Sequence, residues 1–171
     1  MKIDFHVHVT PPDIIKTWKK IAERELYFKL LSESPVNKFA TADDVVKELE
    51  DSGFDKAVIF GFAFRDMGLC QYVNDYVAEA IKKYPDRLIG YMVVAPTAPK
   101  IEREIDRCLA MGLKGVGEIF PYGQRFDIED AQQMSALANA CIERDIPVII
   151  HTNEPVGHYY AGKTDTTPKK A

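Results

Sequence analysis

Lys2-Ile3-Asp4-Phe5-His6-Val7-His8-Val9 alternates polar and apolar residues with the two-residue period of a β-strand. On an extended backbone Ile3, Phe5, Val7 and Val9 share one face, suited to packing on helices, and Asp4, His6 and His8 share the other. Same-face neighbours on a strand stand roughly 6–7 Å apart, so both imidazoles reach one metal ion. Two partly exposed histidines with no ligand role fit the same eight residues; the rest of the chain separates the alternatives.

Outward from this strand, short apolar runs alternate with amphipathic segments. Residues 57–64 (AVIFGFAF), 88–95 (LIGYMVVA), 113–120 (LKGVGEIF) and 147–151 (PVIIH) read as buried strands, each near a Gly or Pro. Between them, Val45, Val46 and Leu49 follow the capping box of Thr41-Ala42-Asp43-Asp44, and Gly53 ends that helix. Tyr72, Val73, Tyr76, Val77, Ala80, Ile81 and Tyr84 repeat at helical spacing, as do Ile101, Ile105, Cys108 and Leu109. A last helix is expected over 128–144. Strands buried on both faces and separated by helices indicate a parallel α/β sheet. The pattern holds four βα units and a fifth strand, then stops: 156–171 has no apolar periodicity. An open doubly wound sheet and the front part of a (β/α)8 barrel both satisfy it, the latter needing ~250 residues to close. Residues 11–40 form an insertion, helical from Ile14, that serves as an accessory helix or a substrate-contacting lid.

The 22 basic and 26 acidic residues leave a net charge of −4 with no basic cluster, so no nucleic-acid or anionic-membrane partner is expected. No apolar run approaches the roughly 18 residues of a membrane span, and Asp4, His6 and His8 interrupt any signal-peptide core. Cys70, Cys108 and Cys141 form no CxxC pair and read as structural thiols of a reducing cytoplasm.

Parallel α/β sheets concentrate function at the carboxyl ends of their strands. His6 and His8 lie there on strand one, Glu118 on strand four and His151 on strand five. A strand carboxylate is costly to bury unless paired or metal-bound, and Gly115 and Gly117 before it permit a close approach. Imidazoles with a carboxylate suit a divalent ion, zinc first. Trp18, Arg65 and Tyr159, with Tyr27, Phe28 and Tyr160, are candidates for the mouth of a small-molecule site.

Asp4-Phe5-His6-Val7-His8 at the start, Gly117-Glu118 on strand four and His151 on strand five resemble the amidohydrolase superfamily, and more closely its amidohydrolase-related branch. The resemblance covers essentially the whole chain and the first part of the family's TIM barrel. It implies a partial (β/α)8 barrel, strands one to five with intervening helices, in one C-terminally incomplete domain over 1–171. It also implies metal ligation by His6, His8 and His151, with Glu118 in a place comparable to the carboxylate that bridges two metals in some members. The implied activity is metal-dependent hydrolysis of a C–N or C–O bond of a small organic substrate, with metal-dependent decarboxylation as the alternative. The family's sixth-strand histidine and its eighth-strand aspartate, the general acid/base, have no counterpart here, so no catalytic residue is assigned. A third expectation is non-catalytic: a half-barrel whose open edge at strand one or five recruits a second copy.

Residues 157–164 (GHYYAGKT) match the P-loop spelling GxxxxGK[ST]. That motif works only when a strand enters the first Gly and a helix starts at the Lys. Here 152–156 intervene after the strand and Pro168 follows closely, so nucleotide binding is disfavoured.

Overall fold

The computed structural model describes residues 1–34, 38–153, 156–159 and 163–171. Its strands are β1 (Ile3–His8), β2 (Lys56–Phe60), β3 (Leu88–Gly90), β4 (Val116–Ile119) and β5 (Val148–Ile150). Its helices are α1 (Pro12–Ala22), α2 (Leu26–Ser32), α3 (Ala42–Ser52), α4 (Met67–Lys83), α5 (Ile101–Ala110), α6 (Pro121–Gln124) and α7 (Ala131–Glu143). β1, β2 and β3 pair in parallel in that order, as do β4 and β5. Met92 joins the two groups by a bridge to Val116, its N–H donating to the Gly115 carbonyl at 2.9 Å. Neighbouring strands in sequence are therefore neighbours in space, as in the front of a βα barrel, and among the described residues β5 does not pair back to β1.

β2 shows why the apolar runs are continuous. Ala57 and Ile59 join a core with Val45 and Leu49 of α3, Val77 of α4 and Ile105 of α5, whereas Val58 and Phe60 face Ile14 and Ile21 of α1 and Phe28 of α2. All four β2 residues are fully buried. Burying Ile59 and Phe60 stabilises the fold by about 1.5–3 kcal/mol each. The capping box forms as expected: the Asp44 N–H donates to Thr41 Oγ1, and the Thr41 N–H to Asp44 Oδ2.

Three expectations need correction. Strict alternation fails in β1, because Asp4 pairs with Ala57 and Val7 with Ile59, three residues on one strand spanning two on the other. This bulge puts Ile3 on the α1–α2 side and Val7 on the opposite side, and leaves Phe5 55% exposed, edge-on to Tyr91. The helical stretch from Ile14 is two helices, α1 and α2, broken at 23–25. There the buried Glu25 carboxylate accepts the Arg65 and Asp66 N–H groups at 2.9 and 3.0 Å, fastening the insertion to the start of α4. The last helix begins at Ala131 rather than 128, because the Asp130 side chain caps the amides of Gln132 and Gln133.

Candidate metal centre

Glu118 organises the site. It is 3% exposed near the end of β4, held there by two glycines. A Cβ on Gly115 would lie 2.6 Å from the Tyr91 ring, and one on Gly117, at φ 143°, 2.5 Å from Ile149 Cβ. What approaches these glycines is thus Tyr91 and β5, not a ligand. Their packing carries β4 close to β5, and His151 follows directly, its N–H donating to the Ile119 carbonyl at 2.9 Å.

Three imidazoles surround the carboxylate. His151 Nδ1 lies 2.9 Å from Glu118 Oε1; His8 and His6 Nε2 lie 3.3 and 3.7 Å from Oε2. The bulge does not separate His6 from His8, whose ring centroids stand 5.2 Å apart. His8 is stacked on Phe62 at 4.6 Å and edge-on to Phe60. Its Nδ1 is 3.1 Å from the Gly61 carbonyl, which can only accept, so Nδ1 carries the proton. Neutral His8 therefore turns the lone pair of Nε2 toward Glu118 Oε2, two acceptors face to face. A proton or a cation between them resolves the conflict. One ligand atom from each of His6, His8 and Glu118 lies within 4.8 Å of the others, a donor set of two imidazoles and a carboxylate that fits a divalent cation.

The electrostatics agree. Burial pushes the Glu118 carboxyl up, but hydrogen bonds and charge from the imidazolium forms of His151 and His8 outweigh it and hold the group at about 2. Burial lowers His6, with His8 and His151 adding to the effect, against the pull of Glu118. A carboxylate kept ionised beside an imidazole kept neutral is the protonation state that metal ligation requires.

Above the cluster opens a cavity of about 590 Å³, one wall of which comes from the 11–40 insertion: Tyr27, Leu31, Ser32, Lys38 and Phe39. Phe62 faces them. Of the mouth candidates, Tyr27 lines this cavity and Phe28, also on α2, is buried in the core. Trp18 lies elsewhere, in a depression with Lys19 and Glu33, while the exposed Arg65 and Tyr159, the latter 79% exposed, are not among the lining residues. Tyr160 lies outside the described residues, as does 160–162 of the P-loop spelling. No helix starts at Lys163, whose Nζ donates to the Val156 carbonyl at 2.6 Å. Sequence reasoning missed Lys38, Phe39 and Phe62 as lining residues, and also Asn153, which the two-residue period places beside His151.

The amidohydrolase family model matches residues 3–167. The chain belongs to the amidohydrolase family. Family members are enzymes. No curated protein matches in sequence. Among solved structures, 5-carboxyvanillate decarboxylase from Novosphingobium aromaticivorans, with bound manganese and 3-methoxy-4-hydroxy-5-nitrobenzoic acid, superposes with a TM-score of 0.70 at 23% identity, over 89% of this chain and 51% of that one. The same enzyme from Sphingomonas paucimobilis gives 0.72 at 18% identity, over 90% and 52%. 4-Oxalomesaconate hydratase from Rhodopseudomonas palustris gives 0.62 at 18% identity, over 88% and 52%. At these identities the likeness is one of fold, that of a partial TIM barrel. The chain spans about half the length of the structures it matches.

Proposed function

We propose that this chain holds a divalent cation between His6, His8 and Glu118, with His151 against the same carboxylate, in a metal-dependent hydrolase acting on a small organic substrate. One observation carries the reading: a buried carboxylate whose free oxygen meets the Nε2 atoms of two histidines at 3.3 and 3.7 Å at the floor of a cavity. A bound cation supplies Lewis acidity toward a substrate carbonyl and acidifies water, for attack on a C–N or C–O bond. Two imidazoles and one carboxylate suit zinc, the first assignment here, with the manganese of the N. aromaticivorans enzyme as the competitor to test. Tyr27, Phe39 and Phe62 exclude water from the cavity, and the insertion acts as the substrate-facing lid. The cavity lining holds no aspartate among the described residues, so the proton shuttle stays unassigned. Three buried free cysteines favour a reducing cytoplasm.

Decarboxylation is the second reading, favoured by Lys38 at the rim of an aromatic-walled cavity, a combination that suits an aromatic carboxylate. The two separate in water labelled with both heavy oxygen and deuterium. The metal-loaded chain is offered amides, lactones and aromatic acids; hydrolysis places one labelled oxygen in the product acid, whereas decarboxylation releases carbon dioxide and puts a solvent deuterium on the ring carbon it left, with no labelled oxygen in the arene. A chain that binds its ion and does neither overturns the enzymatic reading.

A further inference from the structure

One buried amide ties the strand ends together. Gln124, the last residue of α6, is 3% exposed. Its side-chain NH2 donates to the Phe64 carbonyl at 2.9 Å and to the Val94 carbonyl at 2.8 Å, while its Oε1 accepts the Phe120 N–H at 3.0 Å. Carbonyls only accept and a backbone N–H only donates, so the three contacts fix which end of the amide is oxygen. Phe64, Val94 and Phe120 continue β2, β3 and β4 past their ends and are each at most 1% exposed, where an unpartnered backbone group is costly. Two of these residues lead to the cluster. The Phe64 N–H closes a turn on the Phe62 carbonyl at 2.9 Å, and the Phe62 ring lies parallel to that of His8, with 7° between planes and 4.6 Å between centroids. Phe120 stands edge-on to His151 at 4.2 Å and packs on Tyr27 at 3.9 Å. Gly123 lets α6 close this far in: a Cβ there would lie 2.6 Å from the Phe120 ring and 2.7 Å from Tyr27 Cβ.

We infer that Gln124 is a positioning residue of the metal centre. By locking the ends of β2, β3 and β4 to one another, it holds the Phe62 ring against His8 and the Phe120 ring against His151, so that both imidazoles keep the tilt at which they face Glu118. Packed rings restrict that tilt, and outer contacts of this kind orient a ligand without touching the ion. This role rests on the metal-site reading above.

The test is Gln124→Met in the full chain, which keeps the length of the side chain and deletes its donors and its acceptor. Glu104→Ala is the control: it too strands buried donors, from Arg107 and Asn74, but at residues that do not line the cavity. Titrated with Co²⁺ alone and followed by its visible absorption, Gln124→Met should bind about tenfold more weakly than wild type, and Glu104→Ala within about threefold. Because Gln124 acts in part through Phe62, the loss in Gln124→Met/Phe62→Leu should fall short of the sum of the single losses. The metal-free chain supplies a second readout. The His8 ring protons, shielded by the stacked Phe62 ring, should shift downfield in the proton NMR spectrum of Gln124→Met and stay in place in Glu104→Ala. Equal losses of affinity in Gln124→Met and Glu104→Ala, or His8 resonances that do not move in Gln124→Met, overturn the positioning role alone. A wild-type chain that binds no cobalt overturns the metal reading itself, while the His8 shift still shows whether Gln124 holds the rings. If Gln124→Met does not unfold cooperatively in urea, Phe62→Leu decides: it leaves every Gln124 contact in place, and undiminished cobalt affinity overturns the role.

Discussion

Glu104 on α5 and Glu118 on β4 are buried to the same degree, 4% and 3% exposed, and are answered by different chemistry. Glu104 accepts from Arg107 Nη2 and Nε at 2.7 and 2.8 Å, from Asn74 at 2.9 Å and from Gln71 at 3.2 Å. Asn74 in turn spans both polar groups of Val93, so this network ties α4, α5 and the continuation of β3 together. Burial pushes Glu104 up, and a permanent guanidinium with neutral donors brings it below its ordinary range. Among the described residues, no permanent cation stands beside Glu118. Its partners are imidazoles, whose charge depends on pH, and a cavity lies open on the same side. A saturated carboxylate holds structure together; one left to conditional partners is free to take a cation.

The sharpest way to break the comparison is to truncate each carboxylate. Glu118→Ala should cost at least about a thousandfold in metal affinity, ~4 kcal/mol, together with the stability its ionised form gives the metal-free chain above pH 4.5. Glu104→Ala should cost stability alone, about 2–3 kcal/mol of unfolding free energy through the donors it strands, with metal affinity within about threefold of wild type. Metal titration and urea unfolding on both variants check this, and an equal loss of metal affinity in both would erase the distinction.

Acid sharpens it with a smaller effect. His6 titrates below 6.5 in the native chain, so the unfolded chain binds more protons as pH drops through 6.5 and stability falls there first. Glu118 and Glu104 both sit below 4.5 when folded, so their contributions are whole above 4.5 and are lost as pH falls further, for Glu118 toward about 2. Urea midpoints of the metal-free chain should therefore decline in two stages. The first should vanish in His6→Ala; a first stage that survives this change contradicts the assignment.

Much of the fold was legible in the chain. Each apolar run became a strand in the expected order, because burial on both faces leaves little room for polar residues, as in Ala57 to Phe60. His6, His8, Glu118 and His151 converge because strand order and strand ends follow from the βα repeat alone. The bulge in β1 was not legible: it is visible only in register against β2, and alternation assigns Phe5 to the wrong side. Nor were Lys38 and Phe39, which reach the cavity from an insertion whose path no periodicity constrains. Trp18 is an aromatic on an amphipathic helix, but it lines a separate depression with Lys19 and Glu33 and not the cavity.

The central claim is that the two first-strand histidines and Glu118 hold a cation. Isothermal titration of the full chain with zinc, beside the His6→Ala/His8→Ala double variant, tests it most directly. One ion per wild-type chain, lost in a double variant that still unfolds cooperatively, is the expected result; no stoichiometric binding by wild type, or equal binding by the double variant, would contradict it.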